Sequence, residues 1–210
     1  LVYTHPDELR ADLALVRDAL QAGGYARAAG LGLADVERMV DTFGFHLASL
    51  DLREDSVIVR AAARGVLRVA RVSTEPDTLE AVLTQEILDT KGVSTGQMAL
   101  DDPDEAPVDA DDLDLVRRLL TMLTLAGRAQ DLQGERACHN LILTMASTPV
   151  DVLSALLLLK TQGLFRAHWR GGYASRMDLV PLFETVDDLR GAAETMDTLF
   201  ANPAYRAHLE

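Results

Sequence analysis

Residues 179–190, LVPLFETVDDLR, constrain the local architecture more tightly than any other stretch. An apolar run ends in one carboxylate, Glu184, and a helix start follows at once. Thr185 can cap that helix. Asp187 and Asp188 fall in its first turn, where acidic groups meet the positive end of the helix dipole. This order puts Glu184 at the carboxyl end of a strand, on the rim where βα loops carry functional groups. The same grammar recurs at 139–161. HNLILTMA reads as a strand, and Thr148, Pro149 and Asp151 then supply a cap, a first position and a first-turn acid. The helix that follows, VDVLSALLLLK, is apolar nearly all round and is expected to be buried between layers. FHLASLDL, 45–52, is short, apolar and bounded by charge, and reads as a further strand ending near Arg53.

The rest of the chain is helical in pattern. Leu9, Leu13, Val16 and Leu20 recur on one face of a helix over 7–21, which Gly23 and Gly24 end. Helices are expected at 34–42, with Val36, Met39 and Val40 inward, and at 54–71, 75–90, 113–126, 186–200 and 203–209. Residues 163–177, rich in Gly, Arg and aromatics, read as a loop, and no hairpin is expected. Residues 91–112 lack an apolar period and read as a flexible acidic loop without the ligand spacing of a calcium-binding loop. Three strands, each followed by a helix, are the pattern of parallel βα units. The expected fold class is mainly α with a few parallel strands. Three strands cannot close a barrel, so the sheet is either small and open or part of a barrel.

The net charge of −13 argues against nucleic acid or an anionic membrane as the main partner. More than half of that imbalance lies in DDPDEAPVDADD, residues 101–112, with seven acidic groups. A single cysteine, Cys138, excludes an internal disulfide and is expected to be a buried thiol. The longest apolar run, Ala155–Leu159, is too short to span a bilayer, and a cytoplasmic location is expected. The chain opens without Met and inside a helical pattern, and is expected to be a single segment, 1–210, of a larger domain.

Two residues carry the expected chemistry. Glu184 is a hard oxygen ligand at a strand end; magnesium and manganese need only one or two such carboxylates beside water and substrate oxygens. A salt-bridge role is the alternative. Arg53 presents a planar fork that matches phosphate or carboxylate, unless it pairs with Asp51, Glu54 or Asp55. Together they suit an anionic substrate bridging a fixed cation and a carboxylate-held metal. His5 is expected on the surface and His46 in the core. His139 has no partner at metal-ligand spacing. Trp169 and Tyr173 are expected to cover apolar surface near Arg166, Arg170 and Arg176.

Three blocks carry a family resemblance: FGFHLASLDLREDS (43–56), LTMASTPVDVLSALLLLKTQG (143–163) and PLFETVDDLRGAAETMDTLFANPAYR (181–206). In order and spacing they resemble phosphoenolpyruvate carboxylase, with the weakest likeness over 72–138. Position 54 is Glu where the family usually has Gln. The resemblance implies a large, helix-rich enzyme built on an eight-stranded barrel, of which this chain is a partial (β/α) barrel segment. It implies a magnesium- or manganese-dependent lyase that feeds the citric acid cycle. Phosphoenolpyruvate and bicarbonate are converted to oxaloacetate and phosphate. By position Glu184 matches a metal ligand and Arg53 a substrate-binding arginine. The family's catalytic histidine, glycine-rich loop and second metal carboxylate have no match here, so no catalytic residue is assigned within the segment and the isolated chain is expected to be inactive. The complete enzyme is expected to be a tetramer, and this segment to self-associate through uncovered strand edges. Two other readings stand beside this one: another metal-dependent barrel lyase acting on a pyruvate enolate, and a non-catalytic helical interaction module.

Overall fold

The structure is a computed structural model that describes residues 3–90, 110–168 and 170–210. It divides into two units, one formed by Leu1–Leu50 with Arg128–His139 and the other by Asp51–Gly127 with Asn140–Glu210. The expected acidic loop falls, over 91–109, outside the described residues, as does Trp169.

The larger unit holds the sheet. Strands β1 (Asp51–Asp55), β2 (Asn140–Thr144) and β5 (Asp178–Pro181) run parallel in the order β1-β2-β5. Leu52, Leu141 and Leu179 stand in one register row, and Arg53, Ile142 and Val180 in the next. Side chains alternate between faces along a strand, so these rows point to opposite sides. The leucine row meets the helix layer, and Leu141 and Leu143 are fully buried. That layer is built from α4 (Ser56–Val69), α5 (Leu79–Leu88) and α7 (Pro149–Thr161). Every residue of α7 from Asp151 to Leu159 is buried, as its all-round apolar sequence requires. Helices α8 (Val186–Ala201) and α9 (Pro203–Leu209) close the chain.

The helix starts follow from the residues that open them. Thr148 and Asp151 form a reciprocal capping box on α7, with Pro149 at the first position. Thr185 and Asp188 do the same on α8, where Thr185 Oγ1 accepts from Asp188 N at 3.0 Å and Asp188 Oδ2 from Thr185 N at 3.1 Å. The Asp55 carboxylate accepts from Val57 N at 2.7 Å, so β1 passes straight into α4.

The smaller unit contains α1 (Pro6–Ala22), a single turn α2 (Ala26–Ala28), α3 (Ala34–Phe43) and the last turns of the long α6 (Ala110–Gln133). Pro6 is the one buried residue of α1, and Val40 the one of α3. Arg10 pairs with Asp41 at 2.7 Å and Arg17 with Glu37 at 2.8 Å, tying the two helices by charge. Cys138 is buried, as expected.

Three expectations are corrected. The strand expected at 45–52 begins only at Asp51. Gly44 and Leu47 have φ of 51° and 61°, and His46 N and Leu47 N both donate to Phe43 O, which folds the apolar run into a turn. His46 therefore lies in that turn and not in a strand, and Leu47 is 76% exposed. The loop expected at 163–177 contains an antiparallel hairpin, β3 (Phe165–Ala167) with β4 (Tyr173–Ser175). Its turn uses Gly171 and Gly172 at positive φ. The helix expected at 113–126 is α6, longer at both ends. The fold is helix-dominated with a few parallel strands, and no closed barrel is formed among the described residues.

Candidate functional site

Arg53 sits at the centre of β1, two residues before the strand's end rather than at it. It shares its row with Ile142 and Val180, on the face turned away from the helices. That face is polar at its start, where Asn140 Nδ2 donates to Asp51 Oδ1 at 2.9 Å. The three acids beside Arg53 are each engaged elsewhere. Asp51 takes the Asn140 bond, Asp55 caps α4, and Glu54 Oε1 accepts from Asp55 N at 3.1 Å. Arg53 is exposed, and among the described residues none forms an ion pair with its guanidinium.

Glu184 lies three residues beyond β5, just ahead of the Thr185 cap, at the carboxyl edge of the sheet. It is exposed, and its Oε2 accepts from Met145 N at 3.1 Å. Oε1 faces no described donor. The salt-bridge alternative does not apply among the described residues, because the one bond to this carboxylate comes from a neutral amide. A divalent ion fits this donor: a hard, exposed carboxylate with one oxygen steadied and the other open. No cluster of three His, Cys, Asp or Glu suited to a metal occurs among the described residues, so Glu184 would be one ligand of an incomplete set.

Thus Arg53 lies within β1 and Glu184 follows β5, and β2 runs between these two strands. Two strand spacings amount to about 10 Å. Val180, level with Arg53, is four positions before Glu184, so the two groups are also offset along the strand direction.

The loop between β2 and α7 is braced from below. Asp151, 0% exposed, accepts from Ser147 N and Thr148 N, each at 2.9 Å, and stands 3.1 Å from Arg60 Nε of α4. Thr195 Oγ1 of α8 donates to Ser147 O at 3.1 Å. A buried carboxylate with several donors and one cation is held firmly. The sequence marks Asp151 only as a first-turn acid, and its contact with Arg60 carries no sequence signal.

Other expected residues lie elsewhere. His5 is on the surface and caps α1 by accepting from Asp7 N at 3.2 Å. Tyr173 stacks on Phe165 at 5.1 Å and donates its hydroxyl to Leu88 O at 2.7 Å, covering apolar surface as expected. Nearby, Lys160 Nζ donates to Glu86 O in the last turn of α5 and to Asp89 O just past it, and burial pulls its pKa down. A cavity lined by Lys160, Phe165 and Tyr173 and another around His5, Arg10 and His46 include neither Arg53 nor Glu184. No described helix is long and apolar enough to cross a membrane.

The family model described as phosphoenolpyruvate carboxylase matches residues 1–210. Among curated relatives, the phosphoenolpyruvate carboxylase of Ralstonia nicotianae is 34% identical over 209 residues, covering 99% of this chain and 20% of the relative. That of Xanthomonas oryzae pv. oryzae is 35% identical over 210 residues, covering 99% and 21%. That of Aromatoleum aromaticum is 33% identical over 208 residues, covering 97% and 21%. The chain therefore spans about a fifth of the length of the relatives it matches.

Proposed function

This chain belongs to the phosphoenolpyruvate carboxylase family, and on that footing we propose that it supplies part of the substrate and metal site of an enzyme that carboxylates phosphoenolpyruvate with bicarbonate to oxaloacetate and phosphate. The observation that carries the reading is a guanidinium on one outer strand of a parallel sheet, without an ion-pair partner among the described residues, together with a rim carboxylate that follows the other outer strand. In this reading the helix-backed sheet is an arc of a (β/α) barrel, its polar face turned toward the barrel's interior. Neither alternative, a different enolate lyase or a non-catalytic helical module, gains support from the comparisons.

Arg53 receives the phosphate through its planar fork and neutralises it as bicarbonate oxygen attacks phosphorus and the bond to the enol oxygen breaks. Carboxyphosphate and the enolate result. The enolate carbon then attacks carbon dioxide released from carboxyphosphate, leaving phosphate against the same guanidinium. Glu184, steadied by the Met145 amide, would hold magnesium or manganese. The ion supplies Lewis-acid stabilisation of charge on the substrate's oxygens. Glu54 beside Arg53 has one carboxylate oxygen, Oε1, turned back to the Asp55 amide. The cytoplasm and a tetrameric assembly of the complete enzyme belong to the same proposal.

Steady-state kinetics on the full-length protein carrying this sequence test the assignment. Arg53→Ala should raise KM for phosphoenolpyruvate at least tenfold, in line with loss of a charge-assisted contact worth about 1.5–3 kcal/mol. Glu184→Gln should raise the metal concentration needed for activity. Unchanged kinetics in both variants would refute the assignment. The 210-residue chain alone, with its incomplete ligand set, should not turn over substrate.

A further inference from the structure

We propose that Met145 and Ser56 are positioning residues, and that the left-handed turn at Met145 is the joint that fixes Glu184 relative to the strand bearing Arg53. This rests on the reading of Glu184 as a metal ligand.

In an extended strand the N–H and C=O of one residue point to the same neighbour. Leu182 shows the rule: its N–H donates to Leu143 O at 2.9 Å and its C=O accepts from Ala146 N at 3.1 Å, both on the β2 chain. Met145 breaks it. Its φ is 55°, outside the extended region. Its N–H donates toward the β5 side, to Glu184 Oε2 at 3.1 Å. Its C=O turns the other way and accepts from Ser56 Oγ at 2.8 Å, at the start of α4. One residue thus bonds to the continuations of both outer strands, which an extended residue could not do.

Each arm is anchored. Ser56 is 1% exposed and stands three residues after Arg53, placed there by the Asp55 cap. On the other side of the turn, the Asp151 bonds to Ser147 N and Thr148 N hold the chain after Met145. A non-glycine residue keeps a left-handed conformation only when its surroundings over-determine it, and these bonds do so. Met145 itself is partly exposed, so its backbone and not its packing carries the role.

The test uses Ser56→Ala, Met145→Ile and Met145→Gly in the full-length protein carrying this sequence. Glycine keeps both backbone groups and adopts φ near 55° freely, whereas a β-branched residue resists it. Manganese binding without substrate, read by calorimetry, should weaken about tenfold or more in Ser56→Ala and Met145→Ile, the range for loss of a ligand's supporting bond. Met145→Gly should bind like the parent. Amide hydrogen exchange over residues 144–148 of the metal-free protein should quicken in the first two variants and not in the third. If Met145→Ile does not fold, Ser56→Ala decides the matter by both readouts. Glu184→Gln without manganese binding, alongside parental binding in Ser56→Ala and Met145→Ile, would overturn the joint and leave Glu184 a ligand. Parental manganese binding by Glu184→Gln would overturn the ligand reading itself. Equal weakening by Met145→Gly and Met145→Ile would show that the side chain, not the turn, matters, and would also overturn the joint.

Discussion

Helices α1 and α7 have similar lengths and opposite surroundings. In α7 nine consecutive residues are buried, and seven of them are apolar. In α1 the buried set is Pro6 alone, and the helix is tied to α3 by Arg10–Asp41 and Arg17–Glu37. The smaller unit also leaves Leu15, Val16, Tyr25, Leu31, Met39, Phe43 and Leu47 exposed. Apolar burial is not screened by salt, whereas exposed ion pairs contribute about 0–1 kcal/mol and are screened. Stability is therefore concentrated in the unit that carries Arg53 and Glu184, and the smaller unit should open first.

The sharpest way to break this contrast is a cavity in α7. Leu157→Ala should destabilise the larger unit by about 3–5 kcal/mol, read from urea unfolding. A loss below about 1 kcal/mol would mean that α7 is less tightly packed than its burial indicates. Asp151→Ala should follow at about 2–3 kcal/mol, since it removes the α7 capping box and the partner of Arg60, itself partly hydrated. Acid probes the same unit. His208 packs on Phe165 and Tyr205, and burial lowers its pKa, while the Asp178 carboxylate pulls weakly the other way. The unfolded chain then binds the extra proton first, so stability is present above the ordinary histidine value of about 6.5 and is lost as pH falls through it. Unfolding midpoints should drop between neutral and mildly acidic pH, and His208→Phe should flatten that drop. The smallest effect is expected in the other unit. Arg17→Ala should cost under about 1 kcal/mol, and 1 M salt should erase most of the difference. A larger, salt-resistant loss would show that the smaller unit is better packed than its exposed surface suggests. Those exposed apolar side chains also lead us to expect concentration-dependent self-association of the chain by light scattering.

How much of this was legible in the sequence depends on how local the signal was. Thr148, Pro149 and Asp151 announce a helix start by chemistry that acts within four residues, and the capped helix is there. The same holds at Thr185 and Asp188. The run FHLASL carries strand-like composition, but Gly44 and Leu47 adopt positive φ and turn it, and leucine gives no warning of that. This moved β1 downstream and Arg53 from its end to its middle. The hairpin at 165–175 leaves no such signal, because its strands are three residues long, too short for alternation to register. Glu184 stands out as a rim carboxylate. Its donor does not, because methionine at a left-handed position and a serine 89 residues away leave no trace in spacing.

Pro181 carries one more consequence. Leu182 directs its amide and carbonyl to β2, so the preceding residue faces the sheet's outer margin. Proline has no proton to offer there. Any strand laid along this margin loses a rung three residues before Glu184, so lateral zippering stops short and the acid is left to the solvent or to an ion.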